Sequence, residues 1–291
     1  MTISRREWLY RVGSGMALSA VLPVDTATLG QTAGAMRRSV TLGVQSYSFR
    51  DRPIDAAIAA MQQLGLTSCE LWQGHVEPRG VPRDEMRRWR ETVPLDEFRA
   101  LKEKFDRAKV QVAAYNLSFR DDFSDAEIER GFEMTRALGA DVITASASTG
   151  VVPRVAKVAA RHEIRVGMHN HSRIDPNEFA TPESFISAMK AGPFITVNLD
   201  IGHYTAANFD AVAFLQEHHA RIVTLHIKDR KRDNGPNLPF GEGDTPIGPV
   251  LRLLRDRAWP IPANIEYEYK GGDTVEEVRR CLEFCRRELE S

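Results

Sequence analysis

The chain has 291 residues, with 39 Lys and Arg against 40 Asp and Glu, a formal charge of −1 and a pI near 6.7. That balance argues against a sequence-independent nucleic-acid binder, which needs a net basic surface. Three cysteines, 42% hydrophobic and 27% charged residues rule out a disulfide scaffold, a coiled coil, collagen and a disordered chain.

The first 35 residues differ from the rest. Ser4-Arg5-Arg6-Glu7-Trp8-Leu9 sets two arginines ahead of an apolar run over 12–24, which Gly13 and Gly15 interrupt and which is too short to span a bilayer. Ala33-Gly34-Ala35 then offers small residues at a signal-peptidase spacing. The segment resembles a twin-arginine (Tat) export signal. The expectation is cleavage after residue 35, a periplasmic or extracellular location, and no stable membrane insertion of the single domain 36–291.

From Ser39 onward β-rich runs alternate with helical stretches. Strands are expected at 40–45, 68–72, 110–115, 141–145, 164–169, 195–200, 222–227 and 263–267. Helices are expected at 54–64, 94–108, 125–138, 151–161, 182–190, 209–219, 247–257 and 275–290. Asp96, Ser124, Thr181, Asn208 and Thr274 stand near helix starts as caps, and Gly65 and Gly139 stand where a left-handed residue closes a helix. Cys281 and Cys285, four residues apart, read as the buried face of the last helix rather than a metal pair. Eight strand–helix pairs without a Pro- or Gly-rich linker indicate one α/β domain, a (β/α)8 TIM barrel.

A barrel carries its chemistry where the strands end. Strand 2 ends in Cys69-Glu70-Leu71-Trp72, strand 5 in Met168-His169-Asn170-His171 and strand 6 in Asn198-Leu199-Asp200-Ile201-Gly202-His203. Strand 7 ends in Leu225-His226-Ile227-Lys228-Asp229, strand 8 in Ile265-Glu266-Tyr267-Glu268. Alternation puts His169 with His171, His226 with Lys228 and Glu266 with Glu268 on shared faces. A lone His is usually a hydrogen-bonded structural residue, but four polar strand ends in register are costly to bury without a common partner. Two imidazoles and two carboxylates suit one divalent ion such as Mn²⁺, Co²⁺ or Zn²⁺. Glu70 reads equally as a group orienting a ligand or one touching substrate. Asn170 is expected to orient the His169 strand end. His75, His162, His218 and His219 read as surface residues, and the Arg-rich stretch 83–90 as a solvated face. Tyr47, Phe49, Trp72, Tyr115, Phe119 and Tyr204 could wall a sugar pocket or pack barrel loops.

These strand ends, with the loop Phe240-Gly241-Glu242-Gly243-Asp244, resemble the xylose isomerase-like TIM barrels, the sugar phosphate isomerase/epimerase group related to type-2 AP endonucleases, from about residue 40 to 290. The resemblance implies His169, Asp200, His226 and Glu266 as metal ligands. It implies His203 and Lys228 at substrate hydroxyls, with His171 and Glu70 near the pocket. Sugar epimerases of the group usually carry Glu at the place of His169, so Glu266 alone remains of their carboxylate pair; Glu70, His171 or Glu268 could supply the second acid/base. Strands 2 and 3 lack the extra His ligands of the three-metal endonucleases, and no Gly-rich phosphate loop or strand-end Arg pair is evident.

The expected function is a metal-dependent carbohydrate isomerase or epimerase. The ion would bind a substrate carbonyl and adjacent hydroxyl and stabilise the enediolate formed when a neighbouring C–H proton leaves. Glu266 would be the general base, with His203 and Lys228 orienting hydroxyls and offsetting developing charge. Two alternatives stand beside it: a keto-sugar or keto-glycoside lyase or hydratase using the same ion, and a non-catalytic sugar-binding barrel. The expected partners are a small carbohydrate and, in the manner of relatives that dimerise or tetramerise, further copies of the chain in a homo-oligomer; no nucleic acid is expected.

Overall fold

In the computed structural model the described residues are 40–291, and the expected export signal lies outside them. Eight parallel strands close on themselves in chain order: β1 (Leu42–Gln45), β2 (Ser68–Trp72), β3 (Gln111–Asn116), β4 (Val142–Ala145), β5 (Arg165–His169), β6 (Ile195–Asp200), β7 (Ile222–Ile227) and β8 (Ala263–Ile265). β8 returns to β1 with Ala263 beside Leu42 and Ile265 beside Val44. The helices around them are α1 (Ile54–Gln63), α2 (Arg83–Thr92), α3 (Leu95–Arg107), α4 (Asp125–Ala137), α5 (Val152–His162), α6 (Pro182–Met189), α7 (Ile201–Ala206), α8 (Ala211–His218), α9 (Ile247–Arg257) and α10 (Thr274–Glu290). The expected (β/α)8 barrel is therefore present.

Period-two alternation explains why the barrel is apolar outside and polar within. On β6, Ile195, Val197 and Leu199 join the hydrophobic core, while Thr196, Asn198 and Asp200 alternate with them, also buried. The polar set meets across the interior: Glu70 of β2 contacts Thr144 of β4, His226 of β7 and Asn264 of β8. Strands so far apart in the ring can touch only through its centre. Among the described residues, no helix is long and apolar enough to cross a membrane.

Local signals placed most elements to within a residue or two. Ser124 caps α4 in a reciprocal box with Glu127, and Thr181 caps α6. Gly65 (φ +68°) and Gly139 (φ +75°) take the left-handed conformation that ends α1 and α4. Cys281 and Cys285 are free and buried on α10. Three cap expectations shift. Asp210, not Asn208, caps α8, because Asn208 itself adopts φ +68°; Asp273 rather than Thr274 caps α10; and Asp96 lies inside the first turn of α3 behind Pro94.

The stretch 83–90 is solvated at Asp84, Glu85 and Arg88 but not throughout. It forms most of α2, whose Arg90 is buried, pairing with Glu77 at 2.7 and 2.9 Å and with Glu127 at 3.3 Å. Arg83 adds two bonds of 2.8 Å to Glu127. The sequence does not signal this pairing, because Arg83 and Arg90 meet on Glu127, an acid remote from both in the chain. The four outlying histidines are half-buried rather than on the surface. His75 contacts Ser46 Oγ at 3.0 Å and the Phe49 carbonyl at 3.2 Å, and His219 stacks on Trp259 with centroids 4.0 Å apart.

Candidate metal centre

Strand register sets the centre. Asp200 of β6 lies beside His226 of β7, His169 of β5 lies beside Asn198, and Glu266 follows β8 with its N–H donating to the Ile227 carbonyl at 3.1 Å. One ligand atom from each of His169, Asp200, His226 and Glu266 falls within 4.8 Å of the others, and all four residues are buried. His169 Nε2 is 3.5 Å from Asp200 Oδ2, and His226 Nδ1 is 3.0 Å from Glu266 Oε2 and 3.9 Å from Asp200 Oδ2. These same four atoms are buried without a hydrogen-bond partner in the protein. The Lys228 ammonium offsets the charge of Asp200 Oδ2 and Glu266 Oε2 from one side, but four buried polar atoms facing one point without a hydrogen bond are costly unless a shared partner satisfies them, and two nitrogens with two carboxylate oxygens fit a borderline divalent cation.

The far side of three of the four side chains, those of His169, Asp200 and His226, is anchored, which leaves the inward atom to a cation. His169 Nδ1 meets Ser146 Oγ at 3.2 Å. Asp200 Oδ1 accepts the His203 N–H at 2.7 Å and so caps α7, leaving Oδ2 inward. Asn170 bonds reciprocally to the Asp200 backbone at 3.0 and 3.1 Å, tying the strand end that carries His169 to the Asp200 turn. His226 Nε2 lies 2.9 Å from Glu70 Oε1. Gly202 is required here: a Cβ would stand 2.7 Å from the Lys228 carbonyl oxygen, so the Asp-Ile-Gly-His run lets α7 start against the end of β7.

Glu70 is fully buried and also accepts from Thr144 Oγ1 at 2.7 Å and Asn264 Nδ2 at 3.2 Å. It stands behind His226 and lines no part of the cavity, so of the two sequence readings the geometry fits ligand orientation and not substrate contact. The cavity itself measures about 290 Å³ and is lined by Tyr47, Trp72, His171, His203, Lys228 and Glu268 together with His169, His226 and Glu266. That volume, at the lower end of small-molecule sites, suits a compact group. Of the six aromatics read from the sequence only Tyr47 and Trp72 line it, edge to face at 4.9 Å; Phe49, Tyr115, Phe119 and Tyr204 are core residues.

Charge is concentrated here. Lys228 Nζ lies 2.5 Å from Glu268 Oε2, 2.9 Å from Glu266 Oε2 and 3.1 Å from Asp200 Oδ2. Burial opposes the ammonium, yet the three carboxylates hold Lys228 above its ordinary value. In return, Lys228 overcomes the burial that would raise Asp200 and Glu266, and holds both below the usual carboxylate range. Burial lowers His226, but Glu70 and Glu266 prevail and raise it. Burial and the neighbouring cations push His171 down to about 4 and His203 well below the imidazole range.

Three contributors were not singled out from sequence. Asn198 Nδ2 lies 3.0 Å from His226 Nε2; Arg230 Nη1 donates to His203 Nδ1 at 2.6 Å; and the buried Asp229 accepts from the N–H groups of Gly241, Gly243 and Thr245 at 2.7–3.2 Å, folding the 240–244 loop. Asp229 alone had a signal, since a strand-end Asp followed by a Gly-rich loop is a common loop anchor.

Residues 58–288 match the model of the xylose isomerase-like TIM barrel. The chain belongs to that family. Among curated proteins none matches it. Solved xylose isomerase-like barrels superpose across the domain. A 3-keto-D-glucoside 4-epimerase from E. coli is 15% identical at a TM-score of 0.65, covering 86% of this chain and 100% of its own. An L-ribulose 3-epimerase is 13% identical at 0.65, covering 86% and 94%. A sugar phosphate isomerase/epimerase from Parabacteroides distasonis is 16% identical at 0.61, covering 86% and 97%. At such identities the likeness establishes the shared fold.

Proposed function

We propose that the chain is a metal-dependent carbohydrate isomerase or epimerase that moves a proton on the carbon next to a carbonyl. The observation that carries the reading is the convergence of four orphaned ligand atoms at the edge of a small cavity ringed by proton-transfer groups. A divalent ion held by His169, Asp200, His226 and Glu266 would supply Lewis-acid stabilisation of the developing enediolate, with Mn²⁺, Co²⁺ or Zn²⁺ matching the donors. Glu266, ionised by its Lys228 contact, is suited to accept the carbon-bound proton. Glu268 and His171 also line the cavity, and Glu70 does not, which favours those two as the second acid/base. His171, neutral at physiological pH, can accept a proton. His203 and Lys228 would orient hydroxyls.

Elimination from a keto-sugar or keto-glycoside is the second reading. It is favoured by His169 standing where epimerases carry a carboxylate, which leaves Glu266 and Glu268 on one strand end and imidazoles from the β5 and β6 ends around the rest of the cavity. The twin-arginine pattern supports export of the barrel 36–291, a location suited to scavenging glycosides.

Hydrogen exchange decides the matter. Incubation of the Mn²⁺-supplemented protein with a panel of keto-sugars in D₂O should introduce deuterium beside the carbonyl, and Glu266→Gln should abolish it. Unchanged product mass apart from deuterium means isomerisation; loss of water or an aglycone means elimination. Binding without exchange for any keto-sugar would leave only a sugar-binding barrel.

A further inference from the structure

We propose that the end of the barrel opposite the metal centre holds a second small-molecule site, which takes a neutral polyhydroxylated ligand of monosaccharide size. A cavity of about 420 Å³ opens there among the strand starts, between Thr41 ahead of β1, Ser68 of β2, Gln111 of β3 and Pro262 ahead of β8. It exceeds the 290 Å³ of the cavity at the metal centre and falls within the range of small-molecule pockets. Branched side chains ordinarily fill the inside of such a barrel in layers. Here the inward positions of β1 and β2 that precede Gln45 and Glu70 are Gly43 and Ser68, too small to fill it. A Cβ on Gly43 would collide with Asn264 Oδ1.

Asn264 brings an unmet acceptor to this cavity. Its Nδ2 donates to Glu70 Oε2 at 3.2 Å and to Thr224 Oγ1 at 2.8 Å, and Thr224 gives its own proton to the Pro262 carbonyl at 3.2 Å. Both amide protons are therefore taken, which fixes Oδ1 as the remaining atom. Asn264 is 1% exposed, and its Oδ1 has no hydrogen-bond partner. A buried carbonyl oxygen without a donor is costly, so the occupant must offer an O–H or N–H. It need carry no charge: among the described lining residues only Asp141 and Arg165 are formally charged, and they pair at 3.5 Å. Ser68 and Gln111 add a hydroxyl and an amide, each able to donate and accept. Val223, Ile261 and Trp259, the last stacked on His219, supply an apolar wall. Two-way hydrogen-bonding groups beside a wall for C–H groups match a polyol or a sugar ring.

The site can be read apart from the metal centre, because Trp259 lines this cavity and Trp72 the other. In the full chain labelled with 5-fluorotryptophan, with ¹⁹F resonances assigned from Trp259→Phe and Trp72→Phe, titration with D-glucitol or methyl α-D-glucopyranoside should shift Trp259 saturably. Neither probe has a carbonyl, so the result does not depend on the proposed reaction. The fully O-methylated glucoside, which has no donor for Asn264 Oδ1, should leave Trp259 in place. Asn264→Leu removes the acceptor and Ala113→Leu fills the cavity from β3; each should weaken D-glucitol binding about tenfold. Ala113→Leu keeps the Asn264 contact with Glu70, so it reads the site even if Asn264→Leu fails to fold. Absence of a Trp259 shift up to about 100 mM of either probe would overturn the proposal. A shift of Trp72 alone, an equal response to the methylated glucoside or an unchanged titration in Ala113→Leu would overturn it as well.

Discussion

Glu70 Oε1 and His226 Nε2 meet 2.9 Å apart inside the barrel, joining β2 to β7 across its interior. The contact directs His226 Nδ1 at the candidate ion position and makes the imidazole more electron-rich as a ligand. Glu70→Gln should keep the fold, since the amide oxygen can still accept from Thr144 Oγ1 and the amide N–H groups can be met by the unpartnered Oδ1 of Asn264 after it turns its side chain. Mn²⁺ affinity measured by calorimetry should fall about 10- to 100-fold. Affinity equal to wild type would detach Glu70 from the centre.

The same contact predicts how ion binding responds to pH. Glu70 and Glu266 raise His226 above its ordinary value despite burial, so the ion-free ring holds a proton that binding must expel. Affinity should therefore fall as pH falls, by about tenfold per unit below the raised pKa, with the decline beginning above the usual imidazole value of about 6.5. Calorimetry in buffers of differing ionisation enthalpy should register proton release. A flat profile through neutral pH would mean that His226 is already neutral.

Strand ends were readable from sequence because a parallel barrel converts period-two alternation into depth: Asp200, His226 and Glu266 had to share a level once their strands were placed. His169 and Asp200 announced themselves by residue type. Arg230 did not, because its partners His203, Ser172 and Gly235 come from three different segments, and one arginine after a strand end looks like any solvated charge. α2 escaped for the same reason, its buried Arg90 being explained only by Glu77 and Glu127. α7 was hidden within a motif read as strand end, since Asp200 both closes β6 and caps the helix. Alternation and capping are local and legible; charge pairs between distant segments are not.

Arg90 tests how much that hidden pairing matters. Its side chain is 7% exposed, Glu77 is 4% and Glu127 is 0%. Arg90→Met leaves Glu77 buried without its cation and should cost about 3–5 kcal/mol of unfolding free energy. Arg83, 32% exposed and sharing Glu127, should cost about 1 kcal/mol as Arg83→Ala, since solvent screens part of its charge. Urea denaturation compares the two. Equal losses would mean that Glu127, not the Glu77–Arg90 pair, dominates the network.

Two glycines separate stability from ion binding. At Gly202 an added Cβ would stand 2.7 Å from the Lys228 carbonyl oxygen and 2.9 Å from Lys228 Cβ, neither of which can yield without moving the end of β7 away from Asp200. Gly202→Ala should cost about 1–3 kcal/mol and weaken Mn²⁺ binding by separating Asp200 from His226. At Gly65 nothing lies within 4 Å of an added Cβ, and only the left-handed backbone (φ +68°) resists it. Gly65→Ala should cost about 1–2 kcal/mol and leave Mn²⁺ affinity at the wild-type value. Denaturation and ion titration on both variants check the distinction: equal affinities would show that the close approach of α7 to β7 serves packing alone, whereas loss at Gly202 only would tie the Asp-Ile-Gly-His turn to the geometry of the centre.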